Sequence, residues 1–164
     1  MLRRAAAATI AIARPAPGNE VVPSPTHHPP IVPTRPYELR LTVQATDLDE
    51  LQHVNNVVYV KWVQDAAIAH WNALAPAGSK DTIAWVARRH EIDYLSAAVL
   101  GDELIVRTRV GHAEGLVFDR HTEVLQAATG AVVVRSLTQW VPIDPRTGKP
   151  KRVPSEVRAL FSVG

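Results

Sequence analysis

From residue 37 onward, apolar positions fall on every second residue. Tyr37, Leu39, Leu41 and Val43 alternate with Glu38, Arg40, Thr42 and Gln44. A period of two predicts a half-buried strand over residues 37–45. The pattern then breaks into a polar stretch that holds Asp47, Asp49, His53, Asn55 and Asn56. Beyond it, Val60, Val63, Ala67, Trp71 and Leu74 recur at spacings of three and four, which places them on one face of a long helix. Asn55 or Asn56 stands where the N-cap of that helix belongs. Pro76, Ala77, Gly78 and Ser79 end it.

Four more strands are expected, over residues 83–95, 104–110, 116–125 and 132–143. Turns are expected at Gly101-Asp102, across 111–115, and at Ala128-Thr129-Gly130. Short glycine-containing turns at this spacing predict an antiparallel meander. Pro154, Ser155 and Glu156 open a short C-terminal helix through Phe161, with Ser155 as its cap. No internal repeat is present. The order is strand, long helix, four strands: an α+β fold in which one sheet buries a face against one helix. The edges of such a sheet need pairing or protection, and edge-to-edge dimerisation supplies it.

Composition changes this picture mainly at the N-terminus. Eight of the 13 prolines lie in residues 1–36, which lack periodicity and read as a disordered Pro/Ala-rich extension ahead of a single domain over 37–164. The opening residues also look like a signal or transit segment, with two arginines followed by an apolar run and Ala-Ile-Ala. His27 and His28 are adjacent there, and in a proline-rich tail such a pair is expected to do nothing. The tail carries four of the 18 basic residues and one of the 16 acidic ones. The domain itself is therefore close to neutral. A basic stripe for nucleic acid is missing, and no apolar run is long enough to cross a membrane. With no cysteine, disulfides, thiolate metal sites and a cysteine nucleophile are excluded, and a cytoplasmic location fits.

The polar stretch is where chemistry is expected. It ends at a helix N-terminus, where backbone N–H groups lack intrahelical partners and the dipole is positive. A carboxylate, an imidazole and free donors together can attack a carbonyl and hold its developing oxyanion. Asp49 could serve as general base or as nucleophile. His53, four residues on, could orient it or polarise water. Structural roles compete with each of these. Asp47 and Asp49 are residue types that bond their own turns, Asn55 and Asn56 are caps whatever the site does, and Tyr59 and Trp62 suit packing of a pocket or interface.

The run Asp47-Leu48-Asp49, His53-Val54-Asn55-Asn56 and Tyr59, leading into a long helix, resembles the signature of the hotdog-fold thioesterases. The similarity is to the 4-hydroxybenzoyl-CoA thioesterase-like family and its long-chain acyl-CoA branch. Ile92-Asp93-Tyr94, Gly101-Asp102 and the ending from Trp140 to Pro154 also fit, so the resemblance covers about residues 37–161. It implies a five-stranded antiparallel sheet wrapped around a long central helix, and hydrolysis of an acyl-CoA to free acid and CoA. It further implies that Asp49 is the catalytic carboxylate and that the Asn56 backbone N–H binds the thioester carbonyl. His53, Asn55 and Tyr59 match positions that shape the acyl pocket or orient the carboxylate, and Trp62 is read beside them as a substrate-binding residue of the pocket. The resemblance implies no metal or cofactor, and a homodimer or homotetramer. Plant acyl-ACP thioesterases share the run, but Leu51 replaces their asparagine, and Ala97 stands near the place of a further acidic residue. Hydrolysis of acyl-ACP, or a non-catalytic acyl-CoA-binding role for the same fold, are the alternatives. The loop 145–152, with Arg146, Lys149, Lys151 and Arg152, could meet a nucleotide phosphate or be a solvated turn.

Overall fold

The computed structural model describes residues 36–161. The expectations for the N-terminal tail, including His27 and His28 and the signal-like segment, lie outside the described residues. Strand β1 spans Tyr37–Thr42, and its burial alternates as the sequence pattern requires. A single 3-10 turn, Ala45–Asp47, and a tight loop lead to the long helix α1, Asn56–Leu74. A short helix α2, Ser79–Thr82, interrupts the expected loop. Strands β2 (Ala84–Tyr94), β3 (Glu103–Glu114), β4 (Val117–Gln126) and β5 (Val132–Ile143) follow, and helix α3 (Ser155–Leu160) closes the described chain. Ser155 is the first residue of α3 and caps nothing; Pro154 takes the cap position.

All five strands form one antiparallel sheet in the order β1-β3-β4-β5-β2. This is the expected hotdog arrangement, with α1 lying over β3 and β1. Only β3, β4 and β5 are a meander. Strand β2 crosses to the far edge and pairs with β5, because the chain passes from Tyr94 through 95–102 to the other side of the sheet before β3 begins. The turn expected over 111–115 is also narrower. Strand β3 continues to Glu114 through a bulge between Val110 and Ala113. Gly111 permits this, since a Cβ there would lie 2.8 Å from the His121 ring.

The buried face of α1 is rotated from the expected one. Tyr59, Trp62, Val63, Ala66, Ala67 and His70 face the sheet, whereas Leu74 is exposed. Tyr59 and His70 carry polar atoms, which hides them from a purely apolar count. The core has two halves. Trp62 and Ala66 pack with Leu104, Val106, Val124 and Val134. Ala67 packs with Val110, Phe118, Trp140, Val157 and Phe161. Along β3, β4 and β5 the residues between these halves are polar and buried: Thr108, Arg120, Thr122, Ser136 and Thr138. His70 meets this band from the helix, with Nδ1 3.1 Å from Arg120 Nη1, and stacks on Tyr37. Thr108 and Thr122 share a 2.8 Å hydroxyl bond.

This packing sets two expectations for stability. Leu104, 1% exposed, sits at the centre of the first half; Leu104→Ala should cost about 3 kcal/mol in urea denaturation, at unchanged slope. Burial, aided by the Arg120 charge, lowers the His70 pKa to about 4. The unfolded chain therefore binds the extra proton first. Stability from neutral His70 is complete above roughly pH 6.5 and declines as pH falls toward 4, by up to about 3 kcal/mol. His70→Gln keeps an acceptor for Arg120 but cannot titrate, so this part of the acid loss should vanish from its pH–stability curve.

Candidate functional site

The polar stretch folds into a miniature hairpin held at its base by a bridge between Leu48 and Val54. Asp49 N–H donates to His53 O at 2.8 Å, and Gln52 N–H donates to Asp49 O at 3.1 Å. The turn requires a left-handed residue, and Gln52 supplies it at φ 61°, the only non-glycine with positive φ among the described residues. The Asp49 side chain organises the loop. Its Oδ1 accepts the Leu51 N–H at 2.8 Å and the His53 N–H at 3.2 Å. This is the structural role that competes with catalysis in the sequence, and it occupies one oxygen only. Oδ2 makes no hydrogen bond among the described residues. Asp49 is half-buried, neither sealed in the core nor turned fully into solvent.

Asp47 is placed for structure. Its Oδ2 accepts the Gln44 N–H at 2.8 Å, and its carbonyl accepts the Asn55 N–H at 2.9 Å, which ties the end of the hairpin to the start of α1. Asn55 is the N-cap. Its Oδ1 accepts the Val57 N–H at 3.1 Å, and its carbonyl accepts the Val58 N–H at 2.9 Å. One donor of the first turn is left over: the Asn56 backbone N–H makes no hydrogen bond among the described residues. The residue itself is exposed.

His53 differs from the expected arrangement in one respect. The bond it gives Asp49 comes from its backbone, while its imidazole is exposed and makes no hydrogen bond among the described residues. Tyr59 and Trp62 are buried, edge-on to each other with centroids 5.3 Å apart. Burial pushes the Tyr59 phenol above its ordinary value. The Ala98 backbone pulls it part of the way back. Tyr94, at the end of β2, donates to the Asn56 carbonyl at 3.2 Å and contacts the Tyr59 ring. Sequence spacing did not single out Tyr94 for this contact, because it arrives from a strand 38 residues away.

The arrangement thus gathers a carboxylate with one free oxygen, an unpaired N–H at the positive end of a 19-residue helix, and a rim of aromatic side chains. Among the described residues, no group of three His, Asp or Glu side chains is placed to hold a metal ion, and no helix is long and apolar enough to cross a membrane. In the loop 145–152, Lys151 Nζ donates to Thr82 O at 2.8 Å, and the Arg146 and Thr147 N–H groups cap Asp144. That loop is a tied turn with basic side chains on its surface.

Known proteins resemble this chain in sequence and fold. A family model described as the thioesterase-like superfamily matches residues 43–161. The long-chain acyl-CoA thioesterase FadM of Escherichia coli (strain K12) is 28% identical over 126 residues, covering 74% of this chain and 93% of that protein. A solved thioesterase of Thermus thermophilus, complexed with coenzyme A and Zn, superposes with TM-score 0.66 at 27% identity, covering 76% of this chain and 90% of the other. The fold alone is shared with a 1,4-dihydroxy-2-naphthoyl-CoA thioesterase of Synechocystis, at TM-score 0.67, 20% identity, and coverage of 77% and 96%.

The cap geometry can be tested by itself. Asn55→Ala removes the acceptor of the Val57 N–H and should cost about 1 kcal/mol in thermal or urea unfolding, with the long helix retained by circular dichroism.

Proposed function

This chain belongs to the thioesterase-like superfamily, and on that premise we propose that it is an acyl-CoA thioesterase. Water adds to the thioester carbonyl, the C–S bond breaks, and a carboxylate and the CoA thiol leave. The observation that carries the reading is the solitary unpaired N–H of Asn56, beside a loop that locks Asp49 through only one of its oxygens. In this reading the Asn56 N–H donates to the developing oxyanion, an interaction of roughly 3–4 kcal/mol in the transition state. Asp49 Oδ2 takes the proton of the attacking water or attacks the carbonyl itself. Asn55 sets the donor by capping the helix. Tyr59 and Trp62 support the wall behind it, and His53 fixes Asp49 through its backbone, its exposed imidazole facing the incoming thioester. The near-neutral domain favours CoA over an acidic carrier protein as the thiol component.

The working unit is proposed to be a two-fold dimer through β2. That strand is 11 residues long, lies at the sheet edge and is mostly exposed, with Val86 and Tyr94 among the large side chains left uncovered. A long unprotected edge favours pairing. Helix α1 lies over β3 and β1, so the inner side of β2 near Ala87 and His90 is open to a second copy. Light scattering should return twice the protomer mass or a multiple of it.

Asp49→Asn is the sharper mutation. The amide oxygen still accepts the Leu51 and His53 N–H bonds, but the charge is gone. Turnover of acyl-CoA substrates should fall about 10²- to 10⁴-fold at an unchanged melting temperature, whereas Asp49→Ala should lose both activity and loop stability. Wild-type turnover in Asp49→Asn would remove the assignment.

A further inference from the structure

Under the second half of α1 lies a cavity of about 320 Å³. Its walls are largely apolar, with the rings of Trp71, Trp85, Phe118, Trp140 and Phe161 among the residues that line it together with Arg120. Arg120 is only 7% exposed. Its Nη1 donates to His70 Nδ1 and to Thr108 Oγ1, both at 3.1 Å. Both partners are neutral, and no carboxylate pairs with Arg120 among the described residues. Its Nε and Nη2 have no partner among the described residues and are not sealed from the cavity. The indole N–H groups of Trp85 and Trp140, on the same wall, are buried without acceptors. Lys80 adds positive charge. The one carboxylate on the wall, Asp119, alternates to the other face of β4 and accepts from Gln139 Nε2 at 3.3 Å. The cavity is therefore apolar in its walls, rich in donors and short of acceptors. A buried guanidinium without a counter-ion calls for one, and its planar fork matches a carboxylate.

We propose that this cavity receives the far end of the acyl group and that Arg120 selects acyl groups ending in a carboxylate. The proposal rests on the thioesterase reading and on the dimer through β2. The cavity wall includes Ala84 and Trp85 at the start of β2, while Tyr94 at its end touches the helix N-terminus. Antiparallel pairing of two β2 edges sets the start of one strand against the end of the other. The thioester site of one copy thus faces the cavity of its partner. Within a single copy, Arg120 is held at His70, 14 residues along the helix from Asn56, roughly 21 Å away and beyond the reach of a short acyl chain.

The test compares CoA monothioesters of straight-chain dicarboxylic acids with their terminal amides of equal length. Wild-type kcat/KM should favour the carboxylate at least tenfold, and Arg120→Met should bring the ratio near one. A ratio near one in the wild type, with ordinary acyl-CoAs still hydrolysed, overturns the proposal and leaves the thioesterase reading intact. Loss of all thioester hydrolysis is a failure of that reading instead. The cavity is then judged by tryptophan fluorescence titration with 4-phenylbutyrate and 4-phenylbutyramide. Tighter binding of the carboxylate by tenfold or more supports the proposal, and equal or no binding overturns it. The wild-type comparison decides the matter even where Arg120→Met does not fold.

Discussion

The cap on α1 is the constraint on which the rest depends. A helix begins with backbone donors that have no intrahelical acceptor, and each must be met by something else or left open. Here Asn55 meets two of them, through its side chain and its carbonyl, and its own N–H is taken by Asp47 O. The Asn56 N–H remains, at the positive end of the helix dipole. An open donor at such a point costs stability if buried, so it persists where solvent or a ligand oxygen can reach it. The hairpin before the cap is built to match. Asp49 holds the turn with one oxygen, Gln52 accepts a left-handed backbone to close it, and the Leu48–Val54 bridge anchors both ends. The side chain that holds the turn is thus the one proposed to react, and one role does not exclude the other.

The sheet explains why the helix start stays accessible. Helix α1 covers β1 and β3, and the chain carries β2 across to the opposite edge beside β5. The inner face is consequently covered unevenly. Its β1 side is buried under α1, and its β2 side is mostly exposed. Tyr94, at the end of that uncovered strand, touches the helix N-terminus, so the open edge and the open N–H lie at one place.

Much of this was legible from residue order, and the illegible parts have a common cause. Alternation located β1 and β5 because a strand with one buried face must alternate. The run from Asp47 to Tyr59 was legible because a cap, a turn and a carboxylate each demand particular side chains at fixed offsets. The position of β2 was not, since pairing with β5 is set between residues far apart in the chain and leaves no local mark. The face of α1 was misplaced for a different reason. His70 is buried by stacking on Tyr37 and by accepting from Arg120, and Tyr59 by edge-on contact with Trp62 and Tyr94, yet an apolar count scores both as solvent-facing. Arg120 was missed likewise, although a signal existed. Phe118 and Val124 share a strand face, and the period of two puts Arg120 and Thr122 on that same buried side.

That buried polar band has a physical consequence for the core. A sheet face lined from end to end by valine and leucine would pack as one continuous body against the helix. Thr108, Arg120, Thr122, Ser136 and Thr138 instead divide it, and each half is served by a different stretch of α1. The first half is filled mostly by valine and alanine side chains around Leu104, Tyr59 and Trp62. The second is built from large rings that meet mostly edge-on, Trp71 on Trp85 and Trp85 on Phe118, and such rings leave space between them. The cavity therefore comes from the choice of side chains on either side of the band. Burying Arg120 at its border is unfavourable for folding alone, because desolvation already lowers its pKa to about 10 and its protein partners carry no charge. A valine at 120 would fit the pattern of the strand and carry no such penalty. An arginine there fits the proposed carboxylate ligand in the space it faces.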